Sequence, residues 1–194
     1  AEELTRQLNG VYDTLIAEVD RFGGSVIGFA GDAVTCWFDG DGGPRATACG
    51  LAMQDAIRAF KAVPIPSGDT VSLAAKVAIA AGPARRFAVG DPEIQCVDVV
   101  AGATLERMAA AEHLADKGDV VVDEATATAL GATARVAAWR IEAETGRRFA
   151  LVRGLTRPVA DNPWPPLASD ALPDDVTRTW LLPPIHERLS AGQG

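Results

Sequence analysis

The stretch that most constrains the fold is the seventeen-residue run Phe22–Phe38, in which two short β-forming segments flank Gly31-Asp32. A Gly-Gly pair precedes the first segment and predicts the end of the helix before it. Glycine at the first central position of a two-residue loop is typical of a tight turn that requires a positive φ. The run therefore predicts a β-hairpin with one carboxylate, that of Asp32, at its tip.

A two-residue loop also fixes the predicted register, because opposed side chains of a hairpin share a face. The predicted pairs are Ala30 with Ala33, Phe29 with Val34, Gly28 with Thr35, and Ile27 with Cys36. The face predicted to lie in the core is large and apolar: Ile27, Phe29, Val34, Cys36 and Phe38. The other face is small around the turn, which leaves room for a group to approach: Val26, Gly28, Ala30, Ala33, Thr35 and Trp37.

Charge and composition disfavour several classes of partner. A net charge of −8 over 194 residues disfavours nonspecific binding to nucleic acid or to an anionic membrane. No apolar run is long enough to span a membrane, and no signal peptide is visible. The three cysteines lack metal or redox spacing, which indicates reduced thiols in the cytoplasm. The chain starts without Met on a helix already under way, so we expect it to be part of a longer protein.

The rest of the chain mixes helical and strand patterns without strict β-α-β alternation, which predicts an α+β fold. Helical spacing is seen in residues 2–21, after Pro44, in 102–115 and in 124–130. Strand patterns are seen in residues 71–81, 85–89, 94–100 and 119–123, and 136–141 with 149–152 predict a final hairpin. Residues 155–184 are rich in proline and predict an extended strap over a surface.

The Phe22–Phe38 run resembles the Gly-Asp-Ala hairpin of class III nucleotidyl cyclases, the adenylate and guanylate cyclases. Gly31-Asp32-Ala33 alone is a weak motif, and a solvated acid at a hairpin tip is the alternative interpretation. The resemblance extends from residue 4 to about residue 153. It implies a ferredoxin-like core whose sheet carries the hairpin near its middle, without the N-terminal strand of the family.

Further segments resemble the first cyclase domain of bicarbonate-responsive soluble adenylyl cyclase-like multidomain proteins. They are Val100–Glu112, Lys117–Thr126 and the tail Thr179–Leu189, the last resembling a connector between two cyclase domains. The resemblance implies a cyclase-like domain over residues 1–153 and a Pro-rich connector over 154–194.

The resemblance implies Asp32 as a ligand of catalytic Mg²⁺ (or Mn²⁺), and Arg107 as the helix arginine that stabilises the transition state. ATP is the implied substrate, and a second cyclase domain in cis or trans is the implied partner. Gly31 and Ala33 flank the metal ligand beside the phosphates, Arg85 and Arg86 would meet the triphosphate, and Asp98 lies near the purine-reading position. Surface ion pairs of Arg107 with Glu112 and Asp116, and a solvated strand edge for Arg85 and Arg86, are the alternatives.

The chain departs from the family pattern at several positions. The hairpin-strand lysine is Gly28, the helix asparagine is Ala103, and the strand that bears the first metal aspartate is missing. We therefore expect the metal-donating half of a two-domain adenylate cyclase that is inactive alone. A catalytically silent cyclase-homology domain that binds an anion or nucleotide and regulates a partner domain is the alternative, and a plain interaction scaffold is the third.

Overall fold

The computed structural model describes residues 2–64, 69–168 and 171–192. The α-helices are α1 (Glu2–Arg21), α2 (Pro44–Ala56), α3 (Ala103–His113), α4 (Glu124–Leu130), α5 (Asp174–Trp180) and α6 (Pro183–Ser190). The strands are β1 (Ser25–Ala30), β2 (Ala33–Trp37), β3 (Val63–Pro64), β4 (Thr70–Val71), β5 (Val77–Ile79), β6 (Arg85–Asp91), β7 (Gln95–Ala101), β8 (Val120–Asp123), β9 (Ala134–Ile141) and β10 (Arg148–Leu155). Short 3-10 helices, Ile57–Phe60 and Gly131–Thr133, follow α2 and α4.

The chain divides into two compact units. The first contains Ala1–Pro83 and Gly102–Trp164, and the second contains Ala84–Ala101 and Pro165–Gly194. The boundary predicted between residues 153 and 154 falls inside the first unit and stays a prediction.

A four-stranded sheet in the order β5-β8-β10-β9 lies at the centre of the first unit. β5 is parallel to β8, whereas β10 pairs antiparallel with β8 and with β9. Val120, Val121 and Val122 of β8 are each at most 1% exposed. A strand buried on both faces gives the continuous apolar run seen in the sequence. The mixed sheet with its helices confirms the predicted α+β class.

Apolar clusters cover both faces of this sheet. One consists of Ile79, Val120, Val122, Ala127, Ala150 and Val152, with Ala46, Leu51 and Val77 packed beside it. The other consists of Ala110, Ala111, Ala115, Val121, Phe149 and Leu151. α2 and α4 therefore pack on one face and α3 packs on the opposite face.

Helix α1 ends where the Gly-Gly pair predicts. Gly23 has a φ of 68°, and the amide of Gly24 donates to the carbonyl of Val19 at 2.9 Å. A left-handed glycine after the last helical turn satisfies terminal carbonyls of the helix and reverses the chain. β1 then starts at Ser25.

The β1–β2 hairpin has the predicted pairs around its turn but not beyond them. Gly28 pairs with Thr35, and the two pairs nearer the turn also match. The pairing of Ile27 with Cys36 was wrong, because a bulge between Val26 and Gly28 sets Val26 opposite Cys36. Ile27 is the extra residue of the bulge and has no partner in the ladder. Val26 therefore takes the position opposite Cys36 that was predicted for Ile27.

The prediction that Phe29 is part of the core was also wrong, since its side chain is 58% exposed and touches only the edge of Tyr12 among described aromatic rings. The hairpin forms a two-stranded sheet of its own, apart from the four-stranded sheet. The resemblance implies a hairpin near the middle of one continuous sheet, and this expectation was wrong. The tip of the hairpin extends beyond the core that covers its root.

The strand predicted over residues 71–81 is interrupted. Only Thr70–Val71 and Val77–Ile79 are strand, because groups outside a ladder bind the backbone between them. The amide of Leu73 donates to the carbonyl of Phe60, and the carbonyl of Ala75 accepts from the amide of Gly118. These long-range bonds replace strand pairing in this segment.

The second unit pairs β6 with β7 over their whole length. Gln95 of β7 donates through Nε2 to the carbonyl of Trp180 in α5 at 3.1 Å. The prediction of an extended strap over residues 155–184 was wrong at α5 and at the first two residues of α6. Proline is also favourable at the start of a helix: Pro173 is the N-cap residue of α5, and Pro183 lies in the first turn of α6. Among the described residues, no helix has both the length and the apolar character needed to cross a membrane.

Asp119, just before β8, is a buried carboxylate with both oxygens bound. Oδ2 lies 2.7 Å from Arg140 Nη2 and accepts from the amide of Asp116 at 3.0 Å, and Oδ1 accepts from Arg153 at 2.8 Å. Burial acts to raise the pKa of Asp119, but the hydrogen bonds from Asp116, Arg140 and Arg153 outweigh it and hold the pKa below the ordinary 3.8.

We expect Asp119→Asn to be less stable than the parent at neutral pH, with a difference that shrinks in acid. A carboxylate with a depressed pKa stabilises the fold above its unfolded-state pKa, and this contribution is lost as the pH falls through the folded-state pKa. Urea unfolding of both proteins from about pH 6 to about pH 2 measures this difference. Asp116→Asn, at an exposed partner of the same arginine, is the control. A difference that stays constant across the series would contradict the prediction.

Candidate functional site

The tip of the β1–β2 hairpin presents Asp32 between Gly31 and Ala33, and all three are exposed. Gly31 has a φ of 62°, the left-handed backbone that the turn requires. Within the described part of the chain, no hydrogen bond or ion pair engages the Asp32 carboxylate. This carboxylate is therefore free to bind a cation or donor supplied from elsewhere.

The hairpin is held at its root by Arg45, a residue that the sequence analysis did not single out. Its Nη1 donates to the carbonyls of Phe22 and Gly23 at 3.1 and 3.3 Å, and its Nη2 donates to the carbonyl of Asp39. Asp41 in turn accepts from the amide of Arg45 at 3.2 Å at the start of α2. One guanidinium thus ties the chain entering the hairpin to the chain leaving it.

Beneath the hairpin lies a small apolar cluster of Val19, Phe22 and Cys49, which we call the root cluster. Cys36 and Phe38, from β2 and the residue after it, pack against it. Burial raises the pKa of Cys36 to about 11, and burial with the nearby Cys36 raises the pKa of Cys49 to about 12. Both thiols are protonated at neutral pH, so they pack in the core and do not act as nucleophiles.

Arg107 on α3 is bound inside the first unit. Its Nε lies 2.7 Å from Oδ2 of Asp123, and its Nη2 donates to the carbonyl of Ala81 at 2.8 Å and to Oγ1 of Thr104 at 3.2 Å. Asp123 is 1% exposed and also accepts from the amide of Thr126 at 2.9 Å, which caps α4. The guanidinium therefore joins α3, the end of β8 and the segment after β5.

The alternative in which Arg107 pairs with Glu112 and Asp116 was wrong about the partners. Glu112 pairs with Lys76 at 2.7 Å, and Asp116 lies beside Arg140 at 3.3 Å. The catalytic role of Arg107 stays a prediction. Sequence spacing along α3 gave no sign of Asp123, because that partner lies on a different element.

Arg85, Arg86 and Asp98 belong to the second unit, whereas Asp32 and Arg107 belong to the first. On the β6–β7 hairpin, Arg86 binds Asp98 in a fork: Nε to Oδ1 at 2.9 Å and Nη2 to Oδ2 at 2.5 Å. This hydrogen bonding from Arg86 lowers the pKa of Asp98. Arg85 and Arg86 are adjacent on one strand, so their side chains project to opposite faces of the hairpin.

The resemblance implies a bound metal ion, which requires several oxygen ligands close together. Across residues 2–64, 69–168 and 171–192, no group of three or more His, Cys, Asp and Glu side chains is placed to hold a metal. Asp32 supplies one carboxylate, and Mg²⁺ in proteins takes near-octahedral oxygen coordination. The described residues do not make a complete metal site.

Comparison with protein-family models and with curated protein sequences gave no match. Solved structures do match over most of the chain. The guanylyl cyclase Cya2 is 22% identical with a TM-score of 0.68, covering 81% of this chain and 83% of that chain. This chain has the fold of class III nucleotidyl cyclase catalytic domains.

Two further structures extend this cyclase likeness. The adenylyl cyclase CyaB from P. aeruginosa is 17% identical with a TM-score of 0.60, covering 84% of this chain and 86% of that chain. The guanylate cyclase domain of RhGC from Catenaria anguillulae, in complex with GTP, is 16% identical with a TM-score of 0.61, covering 80% of this chain and 86% of that chain. The likeness therefore includes both adenylyl and guanylyl cyclases.

Proposed function

We propose that this chain is the metal-donating half of a two-domain class III cyclase that converts ATP to cyclic AMP and pyrophosphate in intracellular signalling. The observation that carries the proposal is Asp32. Its carboxylate is exposed at a hairpin tip and unengaged within the described residues, in a chain with the cyclase fold. A carboxylate with no packing partner in the fold is available for a ligand.

In the proposed reaction the ribose 3′-oxygen loses its proton to water and forms a bond to the α-phosphorus of ATP. The bond from that phosphorus to the oxygen shared with the β-phosphate breaks, and pyrophosphate leaves. Stabilising the charge on the transferring phosphoryl group is the main catalytic requirement of such a reaction. This chain supplies Asp32, and the backbone at Gly31 and Ala33 lies beside it. The remaining ligands of Mg²⁺ or Mn²⁺ and the groups that read the base are assigned to a second cyclase domain and to residues outside those described.

The phosphate-binding roles of the second unit remain part of the proposal. Arg85 has no ion pair within the described residues and offers an available cation. Arg86 and Asp98 already bind one another, so either would have to exchange that exposed pair for a nucleotide contact. Exposed ion pairs commonly contribute about 0.2–1 kcal/mol, so breaking this pair to bind a nucleotide requires little free energy.

The proposal places the protein in the cytoplasm, where Cys36, Cys49 and Cys96 stay reduced. It also keeps the likeness to bicarbonate-responsive soluble cyclases. At Gly28 a Cβ would meet nothing within 4 Å, so the space that a lysine fills in those relatives is open here. Without that cation we infer weak bicarbonate activation.

We expect the 194-residue chain to make no detectable cyclic nucleotide when tested alone, because its described residues do not form a complete metal site and the proposed second cyclase domain is left out of the assay. Adding a separately expressed second cyclase domain from the same protein or genome should restore synthesis from ATP in the presence of Mn²⁺. Product is measured by chromatography of the nucleotides, with GTP as the competing substrate. Clear synthesis by the isolated chain would contradict the assignment of a half-site.

A second candidate, a catalytically silent domain that regulates a partner, is favoured by the contacts of Arg107. Its Nε and Nη2 are engaged by Asp123, Ala81 and Thr104, which leaves Nη1 as the available end of the guanidinium. The complementation experiment also tests this candidate. A complex whose activity is unaffected by loss of Asp32, but which still depends on this chain, would establish the regulatory role.

A further inference from the structure

Residues 159–164, which we call the clasp, return to the point where α1 ends and the hairpin begins. The amide of Asn162 donates to the carbonyl of Arg21 at 2.9 Å, and Oδ1 of Asp161 accepts from Nε of Arg21 at 2.9 Å. Nε1 of Trp164 donates to the carbonyl of Gly24 at 2.6 Å. Two of these contacts bind backbone carbonyls, those of Arg21 and of Gly24, and Gly24 directly precedes Ser25, the first residue of β1.

The clasp also packs on the core below the hairpin. Val159 contacts the root cluster, against which Cys36 and Phe38 of the returning side also pack. At Gly23 a Cβ would lie 2.4 Å from the carbonyl oxygen of Asn162, so only glycine permits this close approach. Both ends of the hairpin are therefore fixed on a surface that includes the clasp.

We propose that the clasp is a positioning element for the hairpin and sets the orientation of Asp32 at its tip. A two-stranded hairpin is marginally stable alone, so its orientation depends on the contacts at its root. The clasp contributes two hydrogen bonds to that root, an ion pair and the packing of Val159. The part of this inference that concerns catalysis rests on the proposed function.

The inference is tested first by hydrogen exchange on the 194-residue chain. Trp164→Phe retains an aromatic ring but removes the indole N–H that donates to Gly24, together with part of the ring's area. Loss of one such bond should raise exchange rates of the β1 and β2 amides about 3- to 10-fold and leave β8 and β10 unchanged. Trp139→Phe is the matched control, because Trp139 lies on β9 against Arg148 and should leave the hairpin rates unchanged.

Asp161→Asn is a second variant that keeps the size of the side chain and weakens the bond to Arg21. Because this pair is exposed, we expect a smaller increase of about 1.5- to 2-fold, again confined to the hairpin. It keeps the inference testable if Trp164→Phe does not fold. Unchanged exchange rates of the hairpin amides in the folded variants, or equal changes throughout the first unit, would overturn the proposal that the clasp positions the hairpin.

Activity of the complemented enzyme separates the clasp from the proposed function. If the clasp orients Asp32, Trp164→Phe should lower kcat about 3- to 10-fold with little change in the KM for ATP. Faster hairpin exchange with unchanged kcat, in an enzyme that requires Asp32, would overturn the positioning role. Faster hairpin exchange in an enzyme indifferent to Asp32 would reject the proposed function and leave the clasp as the anchor of the hairpin.

Discussion

Asp32→Asn should lower cyclic nucleotide synthesis about a thousandfold or more in the complemented enzyme, which corresponds to a loss of about 4 kcal/mol of transition-state stabilisation. Asparagine keeps the size of the side chain and removes its charge. In the proposed site this carboxylate is the ligand that the hairpin contributes to the metal ion, and loss of a metal ligand has a large effect on the barrier of phosphoryl transfer.

The same substitution should leave the fold intact, since the Asp32 carboxylate has no partner within the described residues. Turnover with Mg²⁺ or Mn²⁺ and urea unfolding are measured on the same preparations. Asp39→Asn, an exposed acid at the other end of the hairpin, should retain activity and serves as the control. An Asp32 variant with a tenth of the parent activity would mean that Asp32 is a solvated turn residue.

Asp123→Ala should lower the free energy of unfolding by about 3 kcal/mol, the lower end of the range for a broken buried ion pair. The substitution removes the N-cap of α4 and leaves Arg107 without its carboxylate. Arg107 is 26% exposed, so water reaches the unpaired guanidinium and limits the loss.

Urea unfolding measures this loss, and Glu124→Ala at the adjacent position is the control. The Glu124 side chain is 58% exposed and 3.6 Å from Arg148, so its removal should cost less than about 1 kcal/mol. An Asp123 variant within about 0.5 kcal/mol of the parent would show that the pair does not hold the fold together. Arg107 would then be available for a role in the site.

Much of the fold follows from local sequence patterns. The end of α1 at the Gly-Gly pair, the turn at Gly31 and the buried strand Val120–Asp123 were all predictable, because each depends on neighbouring residues. The bulge at Ile27 was not, since Val26 and Ile27 are both apolar and either suits the inner face. The break in the strand within residues 71–81 could not be predicted from local sequence, because it is caused by hydrogen bonds to backbone groups distant in the chain.

The candidate site was less predictable than the fold. Asp32 stands out because its turn is local, whereas the roles of Arg45 and Asp123 depend on partners brought close only by folding. The helix Asp174–Trp180 and the start of Pro183–Ser190 fall within residues 155–184, where the prolines favour extended chain. Proline is also favourable at the start of a helix, and composition does not separate these two uses.

The buried position of Cys49 gives the chain an internal reporter of its own motion. The thiol is 1% exposed, and its pKa of about 12 leaves almost no thiolate at neutral pH. An alkylating reagent needs both contact and thiolate, so modification of Cys49 requires the root cluster to open. The rate of alkylation therefore measures how often the packing beneath the hairpin opens, through a side chain that takes no part in the proposed chemistry.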